Sequence, residues 1–385
     1  MAHYNTVLSQ MLKMIPRHEF ESVANAVDGK IRSTALSRWS QFTALLVGQL
    51  NGRQSLRDIE SCLSAQQHLH YHLGVQSVSK SALARANEHR DALFYSRLFE
   101  VLYQRCMGKA PRHGFRFKHK LFSLDGSILN ASMKLFPWAD YNRKKAAFKL
   151  HVGLDHDGLI PCFAKVTEGR ISENEQARLF DAPKGSVVVF DKGYNNYQWH
   201  KALTDKGLYW VTRIRGNAKY KVLKRCERTN NPAITSDQII QYSSRQRDRN
   251  KLPPIRRVGY RDPETGQRYV FITNQFGWSA QTIADIYKQR WQVELFFKWI
   301  KQNLKIKTFI GNSKNAVLTQ VLAALCVYLL IAFMKFQSQM THSMQRIIRL
   351  LHTNLFSKRD LHSLFEKSKR DKEVSPQLRL SLARR

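Results

Sequence analysis

Acidic residues are scarce in this chain of 385 residues. It contains 29 Asp and Glu against 63 Lys and Arg, which gives a formal net charge of +34. Solubility does not require so large a charge, and mutual repulsion of the cations would destabilise the fold. A polyanionic partner would offset this repulsion, and nucleic acid is the polyanion that Lys and Arg bind through its phosphates. An anionic membrane surface would also suit the charge, and a merely basic soluble protein stays open.

Cysteine is also sparse and scattered. The five cysteines are Cys62, Cys106, Cys162, Cys226 and Cys326. They form no CxxC pair, so neither a zinc site nor a disulfide framework is indicated. The first residues are polar and lack the apolar core of a signal peptide. We therefore expect a protein of the reducing cytoplasm.

Long apolar stretches are few, and only residues 316–334 approach the length of a membrane span. This stretch contains no charge, and its polar residues are Thr319 and Gln320. Lys314 precedes it and Lys335 follows it in a very basic chain. A helix buried inside a large domain has the same composition. We predict a buried helix and no membrane partner, with a basic membrane protein as the alternative.

The first 110 residues are predicted to be all-helical. Ser33 and Ser55 are expected N-caps, and Asp58 lies three residues after Ser55, where a carboxylate favours the first turn of a helix. The sequence then predicts a helix over residues 55–69, a turn near Gly74 and a second helix over residues 79–105.

The second of these helices opens with basic residues, which are Lys80, Arg85, His89 and Arg90. The pattern is typical of a recognition helix that enters the major groove of DNA, and equally of an ordinary solvated helix. We predict that residues 1–110 form a DNA-binding domain that binds DNA when expressed alone.

The middle of the chain changes to an α/β pattern. The predicted order is strands over residues 120–125, 148–154 and 160–166, a helix over 173–180, a strand over 186–190, a helix over 197–206 and a strand over 208–214. An Asp-Gly pair at residues 157–158 predicts a hairpin between the second and third strands.

Residues 216–279 are different in composition, with 13 Lys and Arg against 5 Asp and Glu, and two β segments at 256–260 and 268–274. A helix is predicted over residues 280–304. The last segment, 346–385, carries 11 Lys and Arg against 4 acids. We therefore predict a catalytic domain over residues 111–345 with a β-rich insertion at 216–279, followed by a basic helical tail.

Three carboxylates stand out from this pattern. Asp125 and Asp191 each end a largely apolar strand, where an unpaired buried charge would be costly. Strand ends in open α/β sheets are also where ligands bind. Glu294 shares an arc about 60° wide on the predicted helix with Tyr287, Arg290 and Lys301. Taken alone, Glu294 is explained by an i,i+4 ion pair with Arg290.

Together the three acids suit hard divalent cations. Mg²⁺ takes oxygen ligands, usually carboxylates, water and phosphate, and two such ions catalyse phosphodiester displacement. Other candidates have simpler explanations: Asp155 and Asp157 belong to the hairpin turn, and His151 lies in mid-strand as a structural histidine. Arg290 and Lys301 would then bind the DNA backbone rather than pair with Glu294.

At this point the sequence resembles a known family. The spacing Tyr287-x2-Arg290-x3-Glu294-x6-Lys301 matches the Y-R-E-K signature of bacterial DDE transposases of the insertion-sequence-four type. The segments Leu124-Asp125-Gly126-Ser127 and Phe190-Asp191-Lys192-Gly193-Tyr194 resemble those around the family's first two acids. The resemblance covers residues 115–335.

The resemblance implies a ribonuclease-H-like α/β core with a mixed five-stranded sheet and flanking helices. It implies that Asp125, Asp191 and Glu294 are catalytic and bind two Mg²⁺ or Mn²⁺ ions. DNA contacts are expected from Tyr287, Arg290, Lys301 and Lys192, with Arg85 added from the N-terminal domain. Some relatives form a DNA hairpin and hold a flipped base on an aromatic ring of the β-rich insertion. Here Trp278 is a weak candidate that suits the core better.

The implied activity is transposition. The protein would bind the terminal inverted repeats of an insertion sequence, cleave DNA there and transfer the 3′-hydroxyl ends to target DNA. A homodimer on double-stranded DNA and a nucleoid-associated bacterial protein are expected. The alternatives are another ribonuclease-H-like nuclease, such as a resolvase, and a DNA-binding protein that has lost catalysis.

Overall fold

A computed structural model describes residues 5–29, 36–52, 55–132, 134–136, 138, 140–142, 145–227, 230–243 and 253–365. The expected N-cap Ser33 and residues 366–385 of the expected tail lie outside the described residues.

Helices make up the described N-terminal part of the chain. They are α1 (Val7–Leu12), α2 (Arg17–Asp28), α3 (Arg38–Leu50), α4 (Leu56–Ser64), α5 (His70–Leu73), α6 (Lys80–His89) and α7 (Leu93–Met107). The predicted start of α4 is confirmed. Ser55 Oγ accepts the Asp58 N–H at 3.2 Å, and the Asp58 carboxylate accepts the Ser55 N–H at 3.0 Å, which is a capping box.

The prediction of one helix over residues 79–105 is wrong. Arg90 has an extended backbone, so α6 ends at His89 and α7 begins at Leu93. The side chain of Asn315 satisfies the backbone groups that this break exposes. Its amide donates to the carbonyl of Arg90 at 2.6 Å, and its carbonyl accepts the N–H of Ala92 at 3.1 Å. A partner more than 200 residues away therefore stabilises the break.

Ten strands of the described residues form one sheet. They are β1 (Leu121–Ala131), β2 (Asp140–Asn142), β3 (Lys145–Asp155), β4 (Ile160–Glu168), β5 (Val187–Phe190), β6 (Tyr209–Arg213), β7 (Tyr220–Arg225), β8 (Ile234–Tyr242), β9 (Ile255–Arg261) and β10 (Arg268–Thr273). Their order is β2-β3-β1-β5-β6-β10-β9-β8-β7, and β4 also pairs with β3. The pairs β1–β5 and β5–β6 are parallel and the others are antiparallel.

Two strand predictions need comment. The strand expected at residues 120–125 runs on to Ala131, so Asp125 lies within β1 rather than at its end. The extension is possible because β3 pairs with β1 as far as Ala131. The basic region 216–279 contributes β7–β10, which continue the same sheet through the pairing of β10 with β6.

Helices flank the sheet on both faces, as predicted. Side chains alternate between the two faces along each strand. On one face lie Phe122, Leu124, Val188 and Phe190, which form a core with residues of two helices, α8 (Glu173–Ala177) and α9 (Tyr197–Asp205), the latter contributing Trp199. The opposite side chains, Leu121, Val187, Val189 and Val211, pack against α10 (Ala280–Gln289).

The helix predicted over residues 280–304 is divided at Arg290. The N–H of Arg290 donates to the carbonyl of Tyr287 at 3.0 Å, and the carbonyl of Arg290 accepts the N–H of Val293 at 3.2 Å. These i→i−3 bonds tighten the chain between α10 and α11 (Trp291–Asn303). The Arg290 side chain is thereby placed at the junction of two helices.

The apolar segment 316–334 forms part of α12 (Lys314–Gln337), and the predicted burial is confirmed. It is the one helix in the described part of the chain that is long and apolar enough to cross a membrane, and 94% of its apolar window is buried inside the protein. It contacts α3, α6, α7 and β4. Its apolar residues therefore serve as the centre of a core.

That core continues across the predicted domain boundaries at residues 110 and 345. It contains residues of α1, α3 and α7 together with one face of β3 and β4, and also α11, α12 and α13 (Met344–Asn354). The N–H of Leu8 donates to the carbonyl of Leu355 at 2.8 Å, which ties the two ends together. The described part of the expected tail is thus packed against the body, because α13 buries Ile347, Ile348 and Leu351.

Candidate active site

Asp125 and Asp191 lie side by side because β1 and β5 are parallel neighbours. The register pairs Leu124 with Phe190, so the two acids are the next residue on each chain. Neighbouring strands are about 4.8 Å apart. Since Leu124 and Phe190 pack towards α9, the alternation of side chains directs both acids to the other face, on which α10 lies.

Glu294 joins them through a shared arginine. The guanidinium of Arg290 donates to Oε1 of Glu294 at 2.5 Å and to Oδ2 of Asp125 at 3.3 Å. Its side chain is 12% exposed. The expectation that Arg290 would leave Glu294 unpaired is therefore wrong for the protein without DNA. A nearly buried guanidinium needs carboxylates beside it to neutralise its charge, since an unpaired buried charge costs several kcal/mol or more.

Asp191 has its own cationic partner. Nη2 of Arg213 donates to Oδ1 of Asp191 at 2.8 Å, and the hydroxyl of Tyr287 donates to the same oxygen at 3.1 Å. Arg213 was missed by the sequence reasoning. The signal was present, because Arg213 ends the apolar strand β6 next to β5 just as Asp191 follows β5.

The two strand acids differ in their proton affinity. Burial raises the pKa of Asp125 to about 6, and the opposing effect of Arg290 is smaller. Burial also raises the pKa of Asp191, but hydrogen bonds from Arg213 and the backbone of Lys192 outweigh it, and the net pKa lies below its usual value. Burial raises the pKa of Tyr287 to about 12, so this hydroxyl remains a donor.

The remaining residues expected to contact DNA are Lys301, Lys192 and Arg85. Nζ of Lys301 donates to Oγ of Ser127 at 2.7 Å and to the carbonyl of Ile128 at 2.9 Å, which anchors α11 on β1. Lys192 is exposed in the turn directly after Asp191. Arg85 is exposed on α6, which packs on α4 and α12 and so lies outside the carboxylate cluster.

The residues discounted at the sequence level have structural roles. Asp155 is buried and accepts hydrogen bonds from Tyr103 and Lys120, both at 2.9 Å. His151 lies in β3 and contacts the hydroxyl of Thr167 at 3.0 Å. Trp278 stacks on Phe117 at 4.6 Å in a half-buried aromatic group, which agrees with a core role.

The comparison with protein families decides the assignment. A family model described as "Transposase DDE domain" matches residues 116–330, a range that contains all three acids. The chain belongs to this transposase family. A second family model, a domain of unknown function (DUF4372), matches residues 3–76 of the helical part.

Curated relatives of this chain are also named as transposases. A transposase of Sinorhizobium fredii is 30% identical over 293 residues, which cover 75% of this chain and 80% of that protein. A transposase for insertion sequence element IS5377 of Geobacillus stearothermophilus is 27% identical over 346 residues, 88% of this chain and 87% of that protein. The expected relationship to bacterial insertion-sequence transposases is thereby confirmed.

A solved structure also aligns with this transposase, but loosely. A cryo-EM structure of a piggyBac transposase synaptic complex with hairpin DNA covers 98% of this chain and 84% of its own, at 12% identity and a TM-score of 0.45. That score is too low to support an inference.

Within the described part of this transposase, no three Asp, Glu, His or Cys side chains are grouped so as to hold a metal ion. Arg290 and Arg213 neutralise the three acids. The donor set nevertheless fits a hard cation, since carboxylate oxygens are what Mg²⁺ and Mn²⁺ take. The guanidinium of Arg290 supplies, between Asp125 and Glu294, the positive charge that such an ion would bring.

A fourth carboxylate, Glu173, was also missed. It begins α8, and its Oε1 lies 3.1 Å from the position that a Cβ on Gly126 would take. Its other oxygen lies 3.8 Å from the equivalent position on Gly193. Lys149 is its cationic partner at 3.5 Å. Nothing in the sequence near Glu173 indicated this position, because it follows from how α8 crosses the sheet.

A cavity of about 340 Å³ opens beside Asp191 and Arg290. Its aromatic walls are Tyr260, Tyr269, Phe271, Tyr287 and Trp291, and its cations are Arg213, Lys288 and Arg290. Trp291 is 56% exposed there although it is a large apolar side chain. The site therefore combines acids with an adjoining cationic and aromatic surface.

Proposed function

We propose that this transposase binds the terminal inverted repeats of an insertion sequence, cuts DNA at its ends and transfers the freed 3′-hydroxyl ends to target DNA. The observation that carries the proposal is the adjacency of Asp125 and Asp191 on parallel strands, with Glu294 joined to Asp125 through Arg290. Membership of the transposase family and the net charge of +34 support it.

Asp125, Asp191 and Glu294 would hold two Mg²⁺ or Mn²⁺ ions. Bound ions of this kind activate the attacking oxygen and stabilise the leaving oxygen of a phosphodiester. The chain's own contribution is to fix the three acids on a rigid sheet and helix and to supply cations around them. Arg290, Arg213 and the Tyr287 hydroxyl now bond to carboxylates, and a DNA phosphate is an equivalent acceptor for each.

Lys301 and Lys192 extend the proposed DNA contact on either side of the acids. Lys301 lies at the β1 edge beside Ser127, and exposed Lys192 follows Asp191. Arg85 on α6 is proposed to read the terminal repeat at a distance from the cut. Two protomers on the paired ends are proposed to form the working complex, within the bacterial cytoplasm and in association with the nucleoid.

We infer that β4, β3, β1, β5 and β6 form the ribonuclease-H-like core. Three antiparallel strands lie beside two parallel ones in this order, with helices on both faces. The β7–β10 region would then be the insertion that precedes the Glu294 helix. The domain limits at residues 110, 216–279 and 345 remain part of this proposal.

Two other functions compete with strand transfer. Another ribonuclease-H-like nuclease would use the same acids and stop after cleavage. A DNA-binding protein without catalysis would lose nothing on removal of the acids. Incubation of the purified protein with its element's end DNA, a target plasmid and Mg²⁺, followed by mapping of the strands, separates all three because only a transposase joins end DNA to plasmid.

The same assay tests the three acids. Asp125→Asn, Asp191→Asn and Glu294→Gln should each reduce cleavage by several orders of magnitude while repeat binding is retained, because each removes a charge that a hard cation requires. Glu175→Gln is the matched control, since Glu175 is exposed on α8. If Glu294 only braces Arg290, its variant should cut almost normally and lose about 0.5 kcal/mol of stability. Near-normal cutting would overturn the assignment.

A further inference from the structure

A groove leads away from the carboxylates along the surface. The cavity beside Arg290 is lined in part by Lys288, which also lines a second cavity of about 540 Å³. The second cavity shares His156 and Leu159 with a third of about 550 Å³. The shared residues make the three cavities consecutive sections of one track that ends at the C-terminal end of α12.

The far section of this track is cationic. Its lining includes Lys109, Arg112 and Lys335 and no acidic residue. None of the three has an acidic side chain within ion-pair distance among the described residues, whereas Lys201 of α9 pairs with Asp205 and Lys206, directly after α9, pairs with Asp181. Lys335 is half-buried, and burial lowers its pKa. Three unneutralised cations around one concave surface repel each other, and a polyanion would relieve this repulsion.

The wall of the second section and the floor of the far section are held in place. The N–H of His113 donates to Oδ1 of Asp157 at 2.9 Å, and its ring Nε2 donates to the carbonyl of His119 at 2.7 Å. Phe117 stacks on Trp278 and fixes the same segment to the sheet. The floor is the β3–β4 turn, where Gly158 has a φ of +72° and a Cβ would meet the ring of Phe336 at 2.7 Å. A pre-formed wall loses little entropy on binding.

We propose that Lys109, Arg112 and Lys335 form a second DNA site, which binds the phosphate backbone of the duplex beyond the position of cleavage. This inference rests on the proposed action on DNA but not on the carboxylates. Base recognition is not required, because Lys and Arg on a fixed wall contact phosphates whatever the sequence. The continuity of the track with Arg290 and Lys288 gives the DNA one path from the cut to this site.

The test is a triple variant of the full chain, Lys109→Gln, Arg112→Gln and Lys335→Gln. The matched control is Arg178→Gln, Lys201→Gln and Lys206→Gln. It removes the same charge elsewhere: Arg178 and Lys206 line another cavity, of about 290 Å³, and Lys201 and Lys206 already pair with Asp205 and Asp181. Affinity for a long duplex would be measured against salt concentration, and again with a short duplex that ends at the cleavage position.

For the long duplex, the groove variant should bind more weakly, and the slope of log K against log salt should flatten by about 2.7, the value for three lost phosphate contacts. The control variant should keep the parental slope, and the short duplex should not distinguish the two. Equal slopes in both triple variants would overturn the second site. If the groove variant melts at a lower temperature than the parent, Arg112→Gln alone should flatten the slope by about one unit. An unchanged slope in Arg112→Gln would also overturn the second site.

Failure of the proposed chemistry would look different. Asp125→Asn that still cuts end DNA would remove the catalytic assignment and leave the salt slopes of the groove variants unchanged. A groove variant that binds the short duplex normally but the long one weakly would support the second site independently of the metal ligands.

Discussion

Each of the three acids at the centre of the site has a cation as its neighbour. Arg290 bonds to Asp125 and Glu294, and Arg213 bonds to Asp191. Charge-assisted bonds of this kind are short and strong, so the acids are held in position before any ion or DNA arrives. The consequence is a competition, because binding of divalent ions and capture of phosphates both require these arginines to exchange partners.

A buried histidine outside the site provides a residue-scale prediction about acid stability. His200 stacks on Trp210 at 4.3 Å, and within the described part of the chain neither ring nitrogen has a hydrogen-bond partner. Burial lowers the pKa of His200 to about 3. Below about pH 6.5 His200 is protonated in the unfolded chain but stays neutral in the folded protein. This difference should therefore lower the free energy of unfolding as pH falls, by about 1.4 kcal/mol for each pH unit below about 6.

His200→Phe should therefore flatten the acid side of the stability curve, as measured by urea unfolding between pH 7.5 and pH 4.5 in the presence of a chelator. His18→Phe is the control, since that side chain is 84% exposed. The same acid slope in His200→Phe and the parent would show that the ring is hydrated in solution.

Some residues of the candidate site could be predicted from the sequence, and others could not. Asp125 and Asp191 were accessible because a charge next to an apolar run is costly without a partner. Glu294 was accessible through its spacing to Tyr287, Arg290 and Lys301, which resembles the family signature. The ion pair between Arg290 and Asp125 joins positions far apart in the chain, and no local pattern encodes such a contact. It required the parallel pairing of β1 with β5, which places Asp125, within β1, beside Asp191, directly after β5.

At the scale of elements, α12 lies at the centre of the largest described core. Its composition predicted burial, and the helix is enclosed by α3, α6, α7 and β4. Leu329→Asp should unfold the protein or lower its stability by several kcal/mol, because Leu329 is fully buried and the new charge would have no partner. Gln337→Asp at the exposed end of the same helix is the control. Thermal melting of both variants tests the effect, and an unchanged melting temperature for Leu329→Asp would contradict it.

Element limits were less accessible than the elements themselves. The breaks after His89 and at Arg290 divide segments that have continuous helical periodicity in the sequence. The first break is stabilised by Asn315 and the second places Arg290 between two acids, so both depend on tertiary partners. Helix caps behaved differently. Ser55 is the expected N-cap, and it forms a capping box with Asp58 because that interaction is local to four residues.

At the scale of the whole molecule, one hydrophobic core connects parts of the chain that the sequence divides. Residues of the N-terminal helices, the β3–β4 face, α12 and α13 belong to the same buried cluster. The periodicity of each helix shows that it has an apolar face but not which helix covers that face. The boundary expected at residue 110 marks a change in composition, and the core crosses it.

This continuity decides what a truncated chain should do. A fragment of residues 1–110 was expected to bind DNA when expressed alone. In the full chain, Phe94, Tyr95, Leu98 and Leu102 of α7 are buried in the core that contains α12. Without α12 these side chains would be exposed, at a cost of roughly 1.5–3 kcal/mol for each large apolar residue. For the four residues together, this cost is comparable to the whole 5–15 kcal/mol that stabilises a typical protein.

We therefore expect the fragment to show no cooperative thermal transition and no preference for the terminal repeat, whereas the full chain with Glu294→Gln shows both. Circular dichroism melting and a gel-shift assay against unrelated DNA measure this. A fragment that melts cooperatively and selects the repeat would show that the N-terminal helices form a domain of their own and that their contact with α12 is a docking interface.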